Sequence, residues 1–160
     1  QDDVNYYRQA AVSLPSYNVQ MSRQTALSSA KRQLSARVDN VELDGEWVNA
    51  TYTVKGDEHF LQGHFPGMPV VPGVILCEIM AQSCCLLISD LLKENLPLYA
   101  GIDKARFKHP AVPGDTISIR ATVTQRKGKV VFVEATSKVN DKLCCSGNFS
   151  FVLIPKPNNN

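Results

Sequence analysis

From Ser35 onward the chain alternates apolar and polar residues at period two. ARVDNVELD and EWVNATYTV both follow this pattern, and Asp44-Gly45 between them is a hairpin signal, so the two segments are expected to pair as antiparallel strands. Val74 to Leu92, VILCEIMAQSCCLLISDLL, breaks the alternation: it is apolar nearly all round, opens behind Pro72-Gly73 and contains no internal breaker. A surface helix would be apolar along one stripe only, so this stretch reads as a central buried helix. Past Asn95-Leu96-Pro97 come four further strand candidates, LYAGIDKARFK, TISIRATVTQ, VVFVEATSKV and KLCCSGNFSFVLI. The turns between them are Pro113-Gly114-Asp115, Lys127-Gly128-Lys129 and Asn140-Asp141.

Residues 1–34 show no clean period and are expected to form a partly irregular arm with one short helix. Residues 155–160, PKPNNN, read as a frayed tail. Between them, 35–154 supply strand, strand, long helix and four strands. A helix apolar on most sides needs apolar surface around it, and one curved antiparallel sheet provides that. The expectation is an α+β hotdog fold, with about six strands wrapped around one long central helix; a β-sandwich would leave the helix unexplained.

Composition narrows the functional classes. At 160 residues, 44% hydrophobic and 20% charged, the chain is expected to form one globular domain, and bulk disorder is excluded. A net charge of +2 without a basic run gives no footprint for nucleic acid. The cysteines, Cys77 and the vicinal pairs Cys84-Cys85 and Cys144-Cys145, are odd in number and lie in apolar runs. They read as buried thiols of a reducing compartment, hence a cytoplasmic location, and the lack of a CxxC argues against a metal site. The longest apolar run, Val70 to Ser89, is interrupted by Glu78, Gln82 and Ser83, so neither a membrane span nor a signal peptide is expected. The chain opens on Gln1, not Met, which leaves a processed, trimmed or excised segment open.

Chemistry concentrates in GHFPGMPVVPGVILCE, residues 63–78, where three prolines and three glycines surround His64 and the following apolar segment carries one acid, Glu78. This run, extended to GHFPGMPVVPGVILCEIMAQ, resembles the signature of the (3R)-hydroxyacyl-acyl-carrier-protein dehydratases of the FabZ type, and IDKARFKHPAVPGDTI resembles that family's second block. The likeness spans roughly 35–154. It implies a reaction that removes a proton alpha to a thioester carbonyl and protonates a beta-hydroxyl so that it leaves as water. One base and one acid must therefore meet the same substrate. His64 suits the base, because a free imidazole is largely neutral at pH 7. Glu78 suits the acid when held protonated, and its apolar helix neighbours Val74, Ile75, Ile79 and Met80 keep water scarce. Gly73 at the helix start offers a backbone N–H to the thioester oxygen, and Gln82, one turn beyond Glu78, is placed to orient the carboxyl or hold the leaving water. Phe65 joins them as a substrate-positioning residue. His59 and His109 are read as structural or surface residues, and Cys77 as core.

Lys104, Arg106 and Lys108 alternate with Ala105 and Phe107, so all three charges are expected on one strand face. They form either a solvated face or a docking patch for an acidic acyl carrier protein. The resemblance implies no cofactor beyond the phosphopantetheine that carries the substrate. It also implies a homodimer, with a trimer of dimers as the alternative, in which His64 of one subunit faces Glu78 of the other. The family's LPHRYPFLLVD segment is replaced here by SAKRQLSARVD, which keeps Arg32 but has Gln33 in place of the tyrosine associated with tunnel gating. Two other readings compete. A hotdog thioesterase would use a carboxylate and a helix N-terminus but not this His–Glu spacing, and a non-catalytic acyl-binding subunit would need no proton-transfer pair.

Overall fold

The period-two segments assemble into one sheet and the apolar run lies across it. The computed structural model describes residues 38–44 and 46–157, so the arm expected over 1–34 lies outside the described residues. In chain order the elements are β1 (Val38–Asp44), β2 (Trp47–Thr53), α1 (Gly73–Leu87), β3 (Asn95–Phe107), β4 (Thr116–Lys127), β5 (Val130–Val139) and β6 (Lys142–Pro155). The strands form a six-stranded sheet in the order β1-β2-β4-β5-β6-β3, and every pairing is antiparallel. This is the α+β arrangement that the sequence predicts.

Alternation positions the core. In β2 the buried apolar residues are Val48, Ala50 and Tyr52; in β4 they are Ile117, Ile119 and Ala121; in β5 they are Val131, Val133 and Ala135. These faces pack against Ile75, Leu76, Ile79, Met80 and Cys84 of α1, burying apolar area on both sides of one interface. Asn140 and Asp141 turn the chain from β5 into β6 with φ of 48° and 63°, the left-handed conformations that a two-residue primed hairpin turn demands. Four of the five cysteines are buried, and all five are thiols.

Four local expectations need correction. The helix ends at Leu87, not Leu92: at Ile88 the backbone reaches φ −113° and ψ 21°, and Ser89-Asp90, poor helix formers, follow. The apolar pattern persists beyond this end because the turns over 88–94 still bury Ile88 and Leu92. Pro97 lies inside β3, which begins at Asn95; this strand is at the edge of the sheet, where proline's missing N–H costs no ladder bond. In β1, residues 40–44 are all exposed, Val41 and Leu43 included, so its alternation does not translate into a buried face. At the other terminus β6 runs to Pro155, and Lys156 is tied down, its N–H donating to Glu94 O and its Nζ to Lys93 O.

Candidate active site

The loop before α1 is a folded object. Between β2 and α1 the chain makes a short 3₁₀ turn at His59–Leu61, which buries Phe60 and Leu61, and then a tight hairpin. Phe65 and Met68 exchange backbone hydrogen bonds of 3.0 Å in both directions around Pro66-Gly67, and Gly67 has φ 74°. A type II turn asks for that proline–glycine order and that positive φ. One step outward the Val70 N–H donates to His64 O at 2.7 Å, and the Val71 N–H anchors the loop to Ala111 O.

This hairpin fixes His64. Its Nδ1 lies 3.0 Å from Val70 O, and because a carbonyl oxygen only accepts, Nδ1 carries the hydrogen and the neutral ring holds its lone pair on Nε2. The imidazole stacks on Phe65 with ring centroids 4.4 Å apart, and a cis peptide joins the two residues. His64 is half-buried, whereas Phe65 is exposed.

The loop's other end is clipped by Glu58, a nearly fully buried carboxylate. It accepts from the N–H groups of Lys55 at 2.8 Å and Gly56 at 2.7 Å, and from the Tyr52 hydroxyl at 3.1 Å. Burial alone would push its pKa up. The backbone donors, with Tyr52, outweigh that and hold it below the ordinary carboxylate value. Because the folded-state value is the lower one, the stabilisation is present above the ordinary carboxylate range and is lost as pH falls through the folded value. Glu58→Ala removes the acceptor that two loop N–H groups and the buried Tyr52 hydroxyl share, and is expected to destabilise the fold by about 2 kcal/mol, read by chemical denaturation at neutral pH. The gap between variant and wild type should close on acidification; a gap that stays constant into acid would contradict this role.

Helix α1 supplies the remaining groups. Its buried side faces the sheet, and Val74, Glu78, Gln82 and Cys85, spaced three or four residues apart, form the more open stripe. Glu78 is half-buried on this stripe. Gln82 Nε2 donates to its Oε1 at 2.7 Å, the orienting contact that the i,i+4 spacing predicts. Tyr99 of β3 donates its hydroxyl to Oε2 at 3.2 Å. Sequence reading missed Tyr99, which lies 21 positions from Glu78; the only signal was a polar-tipped aromatic in the strand that leads into the second matched block. Gly73 is the first residue of α1, where the helix itself gives the leading N–H groups no acceptor. A second reason for glycine was not visible in the sequence: a Cβ at this position would lie 2.8 Å from the Phe107 ring of β3.

Lys104, Arg106 and Lys108 are all exposed, but the alternation that would align them fails. Between Asp103 and Arg106 the register of β3 on β6 shifts, with Asp103 opposite Asn148 and Arg106 opposite Ser146. Lys104 lies in that bulge with φ 53°. A strand with one extra residue does not keep Lys104 and Arg106 on a common face. Cys77 is buried and packs its thiol against Cys145 of β6, consistent with a core role. His59 and His109 are exposed.

Comparison with known proteins gives concordant results. The model of the ApeI-like family, described as ApeI dehydratase, matches residues 40–148. The 3-hydroxyacyl-(acyl-carrier-protein) dehydratase FabZ of Clostridium perfringens is 40% identical over 119 residues, which cover 72% of this chain and 86% of that one. Among solved structures, the dehydratase heterocomplex ApeI:P of Xenorhabdus doucetiae aligns with a TM-score of 0.59 at 16% identity, over 72% of this chain and 96% of that one. A hypothetical thioesterase of Streptococcus pneumoniae, solved with coenzyme A, gives 0.62 at 10% identity, over 82% and 99%. At such identities the two structures show a common fold alone.

Proposed function

The chain belongs to the ApeI-like dehydratase family, and from that premise we propose that it is a hydro-lyase converting (3R)-hydroxyacyl thioesters on acyl carrier protein to trans-2-enoyl thioesters, in fatty-acid or polyketide-type biosynthesis. The observation that carries this reading is a pair of opposite hydrogen-bond settings: an imidazole whose lone pair is directed to Nε2, and a half-buried carboxyl oriented through both oxygens. His64 Nε2 takes the proton from Cα. The electrons of that C–H bond form the Cα–Cβ double bond as the Cβ–O bond breaks, and Glu78 gives its proton to the departing hydroxyl, which leaves as water. Charge that develops on the thioester oxygen meets the N–H of Gly73 at the helix start, where the peptide dipoles favour it. Phe65, stacked on His64, holds the ring against the substrate. Exchange with solvent then removes the proton from His64 and restores the one on Glu78.

The reading includes a homodimer with a shared site. Exposed apolar side chains crowd this region: Phe65 against His64, Val74 on the Glu78 stripe, Phe107 over Gly73 and Ile102 on β3, whose outer edge pairs with no described strand. Covering that edge with a second copy removes both the open ladder and the apolar patch. Lys104, Arg106 and Lys108 serve as docking charges for the acidic carrier protein, and the phosphopantetheine arm is the only prosthetic group the reaction needs. Buried thiols without a disulfide fit a reducing, cytoplasmic setting.

Incubation with a 3-hydroxyacyl carrier protein is expected to yield the trans-2-enoyl thioester, followed by its conjugated absorbance. Thioester hydrolysis with no enoyl species would replace the dehydratase reading with the thioesterase one.

A further inference from the structure

Glu78 faces a demand that most buried carboxyls do not. On the dehydratase reading, on which this inference rests, it alternates between acid and anion in every turnover, and each form needs satisfied hydrogen bonds. Gln82 contacts Oε1 through Nε2, a group that only donates, so the 2.7 Å bond favours Oε1 as the carbonyl oxygen of the acid, the stronger acceptor of the two. The proton therefore belongs on Oε2, and Oε2 faces the Tyr99 hydroxyl at 3.2 Å. A phenol both donates and accepts. It can donate to the Glu78 carboxylate and, by rotating its hydrogen, accept from the Glu78 acid.

We infer that Tyr99 is a positioning residue for Glu78: its hydroxyl partners Oε2 in both protonation states and, together with Gln82, confines the transferable proton to that one oxygen. Several features fix the phenol for this role. The register of β3 on β6 shifts between Tyr99 and Gly101, a kind of irregularity that re-aims side chains, and the ring leans on Phe151 at 5.3 Å and Phe149 at 6.5 Å between centroids. Desolvation of the phenol, then the neighbouring Glu78 charge, push its own pKa far above the ordinary range, so it acts as a hydroxyl and not as a phenolate. Tyr99 remains 40% exposed, which leaves room for substrate beside it.

The test has a kinetic arm and a spectroscopic one. Tyr99→Phe keeps the ring and removes only the hydroxyl; kcat is expected to fall about tenfold with KM changed less than about twofold, the loss of one hydrogen bond in the chemical step. In wild-type protein labelled with carbon-13 at tyrosine Cζ, and assigned by loss of the signal in Tyr99→Phe, the Tyr99 resonance is expected to follow the titration of Glu78 and to stop doing so in Glu78→Gln. A merely structural tyrosine would show neither the split nor the coupled titration. Wild-type kcat in Tyr99→Phe, or a titration that persists in Glu78→Gln, overturns the assignment. A wild-type protein that forms no enoyl thioester would instead sink the dehydratase reading, so the two failures are distinguishable.

Discussion

Glu78→Gln is expected to lower kcat by about a thousandfold, within the range for removing a positioned general acid, with little change in thermal unfolding. The fold should tolerate it for a specific reason. Glutamine has glutamate's shape, its amide oxygen can still accept from Gln82 Nε2, and its amide nitrogen can donate to the Tyr99 hydroxyl, so neither partner is stranded. Only the transferable proton is lost. A Glu78→Gln protein with wild-type turnover would remove Glu78 from the mechanism; one that loses its fold along with its activity would show the residue to be structural.

His64→Ala is expected to have a comparable effect, again about a thousandfold in kcat. The interactions of this side chain include the Nδ1 bond to Val70 O and the stack on Phe65. The hairpin that carries it is closed by backbone bonds, Val70 N–H to His64 O and the reciprocal Phe65–Met68 pair, which alanine retains. The loop should keep its shape while the lone pair that receives the Cα proton disappears. Circular dichroism and thermal melts matching wild type, alongside lost turnover, are the expected combination. Retained turnover would exclude His64 as base.

What could be read from the sequence was whatever is local. Alternation located the strands because one face of a sheet is buried, and the Asn140-Asp141 and Lys127-Gly128-Lys129 turns were recognisable because their residues tolerate positive φ. Burial misled where it outlasted geometry: Ile88 and Leu92 are core residues, yet the helix has already ended. In the site, the Glu78–Gln82 contact followed from helical spacing alone. The contacts that were not visible all cross the chain. Tyr99 reaches Glu78, and Phe107 lies against Gly73, because the sheet order places β3 at the edge beside β6, a consequence of the whole topology that no local pattern encodes. The bulge that separates Lys104 from Arg106 was hidden for the same reason, since strict alternation in the sequence carries no mark of an extra residue. The proline- and glycine-rich loop was legible as a restricted segment, but its two fastenings, Glu58 at one end and the His64–Val70 pairing at the other, required the coordinates.

On this reading the His–Glu site expels water from a thioester that it leaves intact. The most direct test follows a 3-hydroxyacyl carrier protein labelled with oxygen-18 at the beta-hydroxyl, by mass spectrometry of the intact carrier. The label is expected to leave as water while the acyl chain stays attached, giving an unlabelled enoyl carrier protein with the wild type and almost none with His64→Ala or Glu78→Gln. Release of the free hydroxy acid with its label retained, or wild-type conversion by either variant, would contradict it.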